Sequence, residues 1–370
     1  MSDIVIKKRS SNLELLRIIS MVLIIAHHYS VHGGYNITDN SLYANKLIVQ
    51  LLSLGGKLGV NCFILITGYF TIDSSFKIRK VVRLWLEILF YSVGISLIFY
   101  CTGLADFNMK YFIKSLLPVT FSLYWFATAY VILYILTPFI NIFINTIKKE
   151  TYIKIIILAL LLWSFIPTFT KQEMGGTYVT WFITLYLIAA YIKKYPINFF
   201  TKCRANILLA LMFYCLIILS VIAFDLIGIK YAIFSKYATY FMEINKLPLV
   251  ACSITLFLGF KNVRIGANSF INGIAECMFG VYLIHDNELV RSFLWLKLFK
   301  NNTFLSSPYL LLHAFLSIIT TFAVCTVIDK IRIILIERSV MKTIDHNWIK
   351  IENCISLIKL KANRVIRILN

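Results

Sequence analysis

The chain of 370 residues is 59% hydrophobic and only 15% charged, where a soluble domain carries roughly 25% charged and 45–50% apolar residues. With a mean hydropathy of +0.80, this composition excludes an ordinary water-soluble enzyme, a disordered chain and a disulfide-stapled secreted domain. The net charge of +20 is read as membrane topology and not as nucleic-acid binding, because cytoplasmic loops retain Lys and Arg.

A spanning helix needs about 20 mostly apolar residues. Ten candidates follow in chain order: 13–31, 47–71, 82–104, 119–147, 152–169, 178–192, 205–227, 247–260, 270–289 and 308–336. The expected fold class is therefore all-α, a polytopic transmembrane bundle of about ten spanning helices. The first run has no small-residue cleavage site behind it and is followed by many others, so it reads as a retained helix rather than a signal peptide. With the N-terminus inside, 25 of the 37 basic residues fall on the cytoplasmic side and 10 outside, which predicts an N-in/C-in topology.

Residues 1–336 form the expected transmembrane domain. The tail 337–370 alternates Ile and Leu with Lys and Arg and reads as a basic amphipathic helix, whose plainest role is adhesion to anionic lipid. Segments 105–117 and 228–246 are Tyr- and Phe-rich outer loops, suited to lie at the interface or cap a cavity. The eight cysteines sit mostly in apolar runs without a CxxC pair, so they read as small buried hydrophobes, and no metal framework is visible.

Ionisable groups inside spans are costly and mark functional positions. The first span holds Glu14, Arg17, His27 and His28. At about 100° per residue, Glu14, Arg17 and His28 share one helix face, while His27 points about 80° away from Arg17. His28 lies roughly 16 Å along the axis from Arg17. A neutral imidazole there suits general-base work on a hydroxyl; the plainer alternative is a core histidine bonded to its neighbours.

After the second span, Arg79, Lys80 and Arg83 cluster at a helix entrance on the cytoplasmic side. They suit a polyanion such as the phosphates of coenzyme A, or simple positive-inside anchoring. His285 and Asp286 end the ninth span as a polar pair, and adjacent residues do not face each other on a helix. His313 has no evident partner, Asn36-Ile37-Thr38 and Asn301-Asn302-Thr303 match a glycosylation pattern, and Gly55, Gly56 and Gly59 suit close helix packing or a helix break.

Five pieces in order resemble the acyltransferase-3 family of membrane proteins. They are Asn12-Leu13-Glu14-Leu15-Leu16-Arg17 with His27-His28; Gly59-Val60-Asn61 leading to Thr67-Gly68-Tyr69-Phe70; the basic run ending Arg83-Leu84-Trp85-Leu86-Glu87; Tyr124-Trp125-Phe126 and Tyr130 with Pro138-Phe139-Ile140-Asn141; and Gly280-Val281-Tyr282-Leu283-Ile284-His285-Asp286. Together they cover roughly residues 10–336. The likeness is nearest to the branch that O-acetylates bacterial capsular and exopolysaccharides, which implies a multi-pass protein of the bacterial cytoplasmic membrane. Thr67 stands for the family's usual Ser, Asn61 for a frequent Asp, and Lys80-x-x-Arg83 for an Arg-x-x-Arg pair.

The resemblance implies an acyl-CoA donor, usually acetyl-CoA, and a sugar hydroxyl as acceptor, on a surface polysaccharide or its lipid-linked precursor. It selects His28 as the catalytic histidine, with His27 in reserve and Glu14 and Arg17 ordering the same face. Arg79, Lys80 and Arg83 would hold the donor's phosphates. His285, Asp286, Trp125 and Tyr130 would line the acceptor side. Some relatives append an extracytoplasmic hydrolase-like domain; this chain shows none, so it delivers the acyl group itself or hands it to a separate protein. A covalent acyl-histidine relay is the rival chemistry. A transporter of lipid-linked glycan is the alternative function, but it predicts repeat symmetry and none is visible. A non-catalytic assembly or sensor protein would tolerate replacement of His28 and Arg83.

Overall fold

The computed structural model describes residues 10–37 and 42–348. In chain order the helices are α1 Ser11–Val31, α2 Ala44–Thr71, α3 Ile78–Cys101, α4 Met109–Leu116, α5 Trp125–Thr146, α6 Lys149–Leu160, α7 Ile166–Thr170, α8 Tyr178–Lys194, α9 Asn198–Thr201, α10 Cys203–Lys230, α11 Leu247–Lys261, α12 Ser269–Ala275, α13 Met278–His285, α14 Glu288–Ser292 and α15 Leu310–Arg332. Short 3-10 and π segments link several of them, and no strand occurs among the described residues. The protein is an all-α polytopic helical bundle.

Among the described residues, eight helical stretches are long and apolar enough to cross a membrane, two fewer than the ten expected spans. The difference lies in two places. The expected span 178–192 forms α8, which at 17 residues is short and buried along most of its length. The expected span 270–289 is broken into α12 and α13, because Glu276 and Cys277 interrupt the helix between Ala275 and Met278. Helices around the edge show apolar side chains outward, such as Phe139 on α5 and Leu208 and Leu219 on α10, as lipid contact requires.

The centre of the bundle is α2, which packs on α1, α8 and α11. Its approach to α1 depends on missing side chains. A Cβ at Gly59 would stand 2.6 Å from the Ser20 carbonyl oxygen, and one at Gly55 would stand 2.9 Å from Leu23 Cβ. Small residues let two helices meet at backbone distance where lipid supplies no hydrophobic drive. The glycines therefore serve packing and not a break, since α2 runs uninterrupted through them.

Buried polar side chains tie the helices across the bundle. Asn61 on α2 accepts from Trp181 Nε1 on α8 at 3.0 Å and donates to the Ile244 carbonyl at 2.9 Å. Lys46 of α2 and Asp225 of α10 form a fully enclosed ion pair at 3.2 Å. Breaking one side of such a pair would leave an uncompensated buried charge, at a cost of about 3–5 kcal/mol.

Two readings from the sequence change here. His313 has a partner: its Nδ1 lies 2.9 Å from the Tyr29 hydroxyl. Asn301 is fully buried and donates to the Tyr29 carbonyl at 3.1 Å, so its glycosylation pattern is a structural anchor. Of the other pattern, Asn36-Ile37-Thr38, only Thr38 falls outside the described residues, as does the tail beyond residue 348. The chain divides into two units, Met1–Cys325 and Thr326–Asn370. Within the second, Arg332 bridges Asp329 at 2.7 Å and Glu337 at 2.6 Å.

Candidate active site

The ends of α1 and α13 meet at a cavity of about 330 Å³ lined by His27, His28, His32, Lys57, Trp125 and Arg291 among others. His28 is the last-turn residue of α1 that faces it, and is 8% exposed. Its Nδ1 stands 3.0 Å from His285 Nε2, and His285 Nδ1 stands 2.6 Å from the Val281 carbonyl oxygen.

This chain of contacts dictates the proton positions. A carbonyl oxygen only accepts, so His285 Nδ1 carries the hydrogen. In neutral His285 the other nitrogen is then the acceptor, and His28 Nδ1 donates to it. His28 Nε2 is left with a free lone pair. That atom lies 3.6 Å from Asp286 Oδ1, at the cavity wall.

His285 and Asp286 thus both reach His28, although they are adjacent in sequence. Helix α13 ends at His285, and Asp286 is its C-cap residue at φ −94, ψ 2. Leaving the helix turns the carboxylate toward the same imidazole. His285, expected on the acceptor side, is fully buried behind His28 and is not among the residues that line the cavity.

Arg291 Nη1 lies 3.4 Å from Asp286 Oδ1 and 3.4 Å from His32 Nε2. Ligand atoms of His28, His32 and Asp286 fall within 4.8 Å of one another, a spacing a metal ion could use. The Arg291 guanidinium already supplies a positive charge between two of the three. Burial, then this guanidinium, hold the His32 imidazole down at about 3, so it is neutral at physiological pH.

The remaining expected residues separate into two groups. His27 lines the cavity, but its Nδ1 is engaged by the Ser53 carbonyl at 2.7 Å and its ring sits over Gly56. Trp125 lines the cavity with Lys57 Nζ 5.1 Å from its ring centre. Tyr130 does not line it: its ring stacks on Phe126 at 5.8 Å and its hydroxyl lies 3.4 Å from Thr67. The neighbouring Tyr124 is likewise structural, accepting from Asn287 Nδ2 at 2.7 Å.

Glu14 and Arg17 pair at 2.7 Å in the first turns of α1, at the other end of that helix from His28. Beside them Ser11 bonds Asn272 at 3.1 Å and Asn12 caps the carbonyls of Phe260 and Lys261. They share a face with His28, as the helical period requires, but not a site. Arg79, Lys80 and Arg83 also lie at that far end, on the first turns of α3, which follows directly after α2 has crossed the bundle. Lys193 joins this end, 3.5 Å from Asp73 and 4.4 Å from the Tyr69 ring, with Lys261 6.0 Å from the same ring.

Sequence reasoning passed over His32, Lys57, Glu243 and Arg291 as cavity residues. His32 was detectable, four residues after His28 on the same face. Lys57 was too, as a charge within a span. Glu243 comes from a connecting segment and Arg291 from the short helix α14, and no local pattern marks them.

Fold and cavity together define a multi-pass membrane protein with a histidine-lined cavity at one end of its bundle. The chain belongs to the acyltransferase-3 family, whose acyltransferase domain matches residues 10–330, and it is a membrane acyltransferase. No curated protein and no solved structure matches it.

Proposed function

We propose that this acyltransferase moves an acetyl group from acetyl-CoA, taken up on the cytoplasmic side, to a sugar hydroxyl of a surface polysaccharide or its lipid-linked precursor in a bacterial cytoplasmic membrane. What supports the catalytic part is the contact of His28 Nδ1 with His285 Nε2, which assigns the proton to Nδ1 and leaves Nε2 as the basic nitrogen of a cavity-lining histidine. The acceptor hydroxyl gives its proton to Nε2 as its oxygen attacks the thioester carbon. The C–O bond forms, the C–S bond breaks, and the proton passes from His28 to the departing thiolate. Asp286, 3.6 Å from Nε2, stabilises the imidazolium formed in between.

Arg79, Lys80 and Arg83, with Lys193 and Lys261 nearby, suit the donor's phosphates at the opposite end of the bundle. The roughly 16 Å rise along α1 from Arg17 to His28 is the span a flexible acyl-carrying arm would have to cover. Glu14 and Arg17 hold the entry end of α1 and take no part in proton transfer.

The test supplies membranes containing the protein with acetyl-labelled acetyl-CoA and the cell's own surface glycan. Base-labile label enters carbohydrate with the wild type and not with His28→Ala at equal protein level. Label that persists in His28→Ala removes His28 as the base; no label from the wild type removes the sugar acceptor.

A further inference from the structure

Next to the reaction cavity lies a larger cleft of about 610 Å³, lined by Trp163, Lys171, Glu173, Tyr178, Tyr240 and Glu243 among others. The two spaces are joined. Glu243 lines both, and Tyr178 of the cleft stacks against Trp125 of the cavity with ring centres 4.3 Å apart. Lys57 Nζ lies 6.0 Å from the Tyr178 ring and 5.1 Å from Trp125, at the same seam.

The cleft is shaped by α7 with the π turn before it and by the segment leading into α11, which are locked to each other. Asn245 Nδ2 donates to the Trp163 carbonyl at 3.0 Å, Lys246 Nζ to the Pro167 carbonyl at 3.0 Å, and the Tyr240 hydroxyl to the same carbonyl at 2.6 Å. Trp181 is committed to Asn61. The Trp163 and Tyr178 rings and the Glu243 carboxylate also line the cleft, together with Glu173, which pairs with Lys246 at 3.6 Å, and Lys171, whose Nζ lies 3.6 Å from the Tyr237 ring centre. Flat aromatic faces alternating with short-range acceptors and donors match a chain of sugar rings, which presents C–H faces and hydroxyl edges in turn. Two carboxylates facing two lysines, Lys171 and Lys246, do not favour a strongly charged ligand.

We infer that this cleft is an extended acceptor subsite, in which the sugar residues flanking the modified one bind while that residue sits beside His28. The inference rests on the cavity being the transfer site for a sugar hydroxyl, and it adds that the enzyme reads an oligosaccharide rather than a single sugar. Binding energy from remote rings would then position the reacting hydroxyl.

The experiment uses fragments of the cell's surface polysaccharide sized to one residue and to several, with purified full-length protein. With the wild type, KM for the acceptor falls as the fragment lengthens. In Trp163→Ala that gain is lost, and KM for the long fragment rises by roughly three- to tenfold, while kcat on the one-residue fragment is unchanged. Glu173→Gln, altered at an exposed side chain that also pairs with the buried Lys246 at 3.6 Å, gives a smaller change in the same direction. A KM independent of length, or a loss in Trp163→Ala that is equal for short and long fragments, overturns the cleft. Direct binding of a fluorescent long fragment separates this from the chemistry. Binding that is weakened by Trp163→Ala supports the cleft even where no acetyl is transferred; no binding by the wild type overturns it.

Discussion

His28 Nδ1 stands 3.0 Å from His285 Nε2, across 257 positions of sequence, and His285 is itself fixed by a 2.6 Å contact to its own helix's Val281 carbonyl. One backbone carbonyl therefore decides which nitrogen of His28 is basic. A histidine aligned by a second group is the arrangement that general-base sites use to keep one tautomer.

Loss of that alignment should separate from loss of the base. His28→Ala is expected to lower kcat by about 10²–10⁴-fold, the usual worth of a positioned base. His285→Ala should lower kcat by about 10–100-fold with the acceptor KM little changed. His285→Gln, which keeps an acceptor toward His28, should recover part of it. Steady-state acetyl transfer at matched protein level reads all three, and equal KM and kcat losses in His285→Ala would point to misfolding instead.

Asp286 and Arg291 act as a charged couple at 3.4 Å beside the imidazole. Asp286→Asn removes the charge that stabilises imidazolium and should lower kcat by more than tenfold. Arg291→Gln leaves the carboxylate without its counter-charge and should give a smaller loss. If the two residues work as one unit, the double variant is no worse than Asp286→Asn, and a double-mutant cycle measures that coupling.

The cations on the first turns of α3 belong to the far end of the bundle, so their replacement should change donor binding alone. Arg83→Gln and Lys80→Gln are each expected to raise KM for acetyl-CoA by about tenfold, the equivalent of one charge-assisted contact of about 1.5 kcal/mol. KM for the acceptor should stay constant. The wild-type KM for acetyl-CoA should rise with salt, and less steeply in the variants.

His32 gives a pH-dependent contribution to stability whose sign is set by its environment. Held at about 3 in the folded protein against about 6.5 when unfolded, it binds fewer protons folded than unfolded across that interval. Folding stability should therefore fall as pH drops from about 6.5 toward about 3. His32→Gln should shrink the difference between thermal unfolding at pH 7.5 and at pH 5.0 in detergent, and an unchanged difference would refute the assignment.

The α1–α2 contact makes a packing prediction independent of function. Gly59→Val puts methyl groups where a Cβ alone already meets the Ser20 carbonyl at 2.6 Å. Overpacking of this kind costs about 1–3 kcal/mol, so the unfolding temperature should drop, and it should drop less for Gly59→Ala.

Read alone, the chain already determined the all-α membrane class, the first-helix histidine and the basic entrance at α3, and the period of α1 put Glu14, Arg17 and His28 on one face. These are local properties: an apolar run of sufficient length must be a helix in lipid, and the helical repeat orders the residues within it. What a run of residues cannot carry is where a second helix docks. Only the tertiary structure placed the C-terminal end of α13 against the end of α1, which buried His285 behind His28 and turned Asp286 to the same imidazole. It also separated Glu14 and Arg17 from His28 by the length of α1, left Tyr130 outside the cavity lining against Phe126, and joined Lys57, Glu243 and Arg291 into one cavity wall. Those relations depend on helix ends and connecting segments meeting in space, where hydrogen-bond satisfaction and close packing between distant parts of the chain decide the geometry.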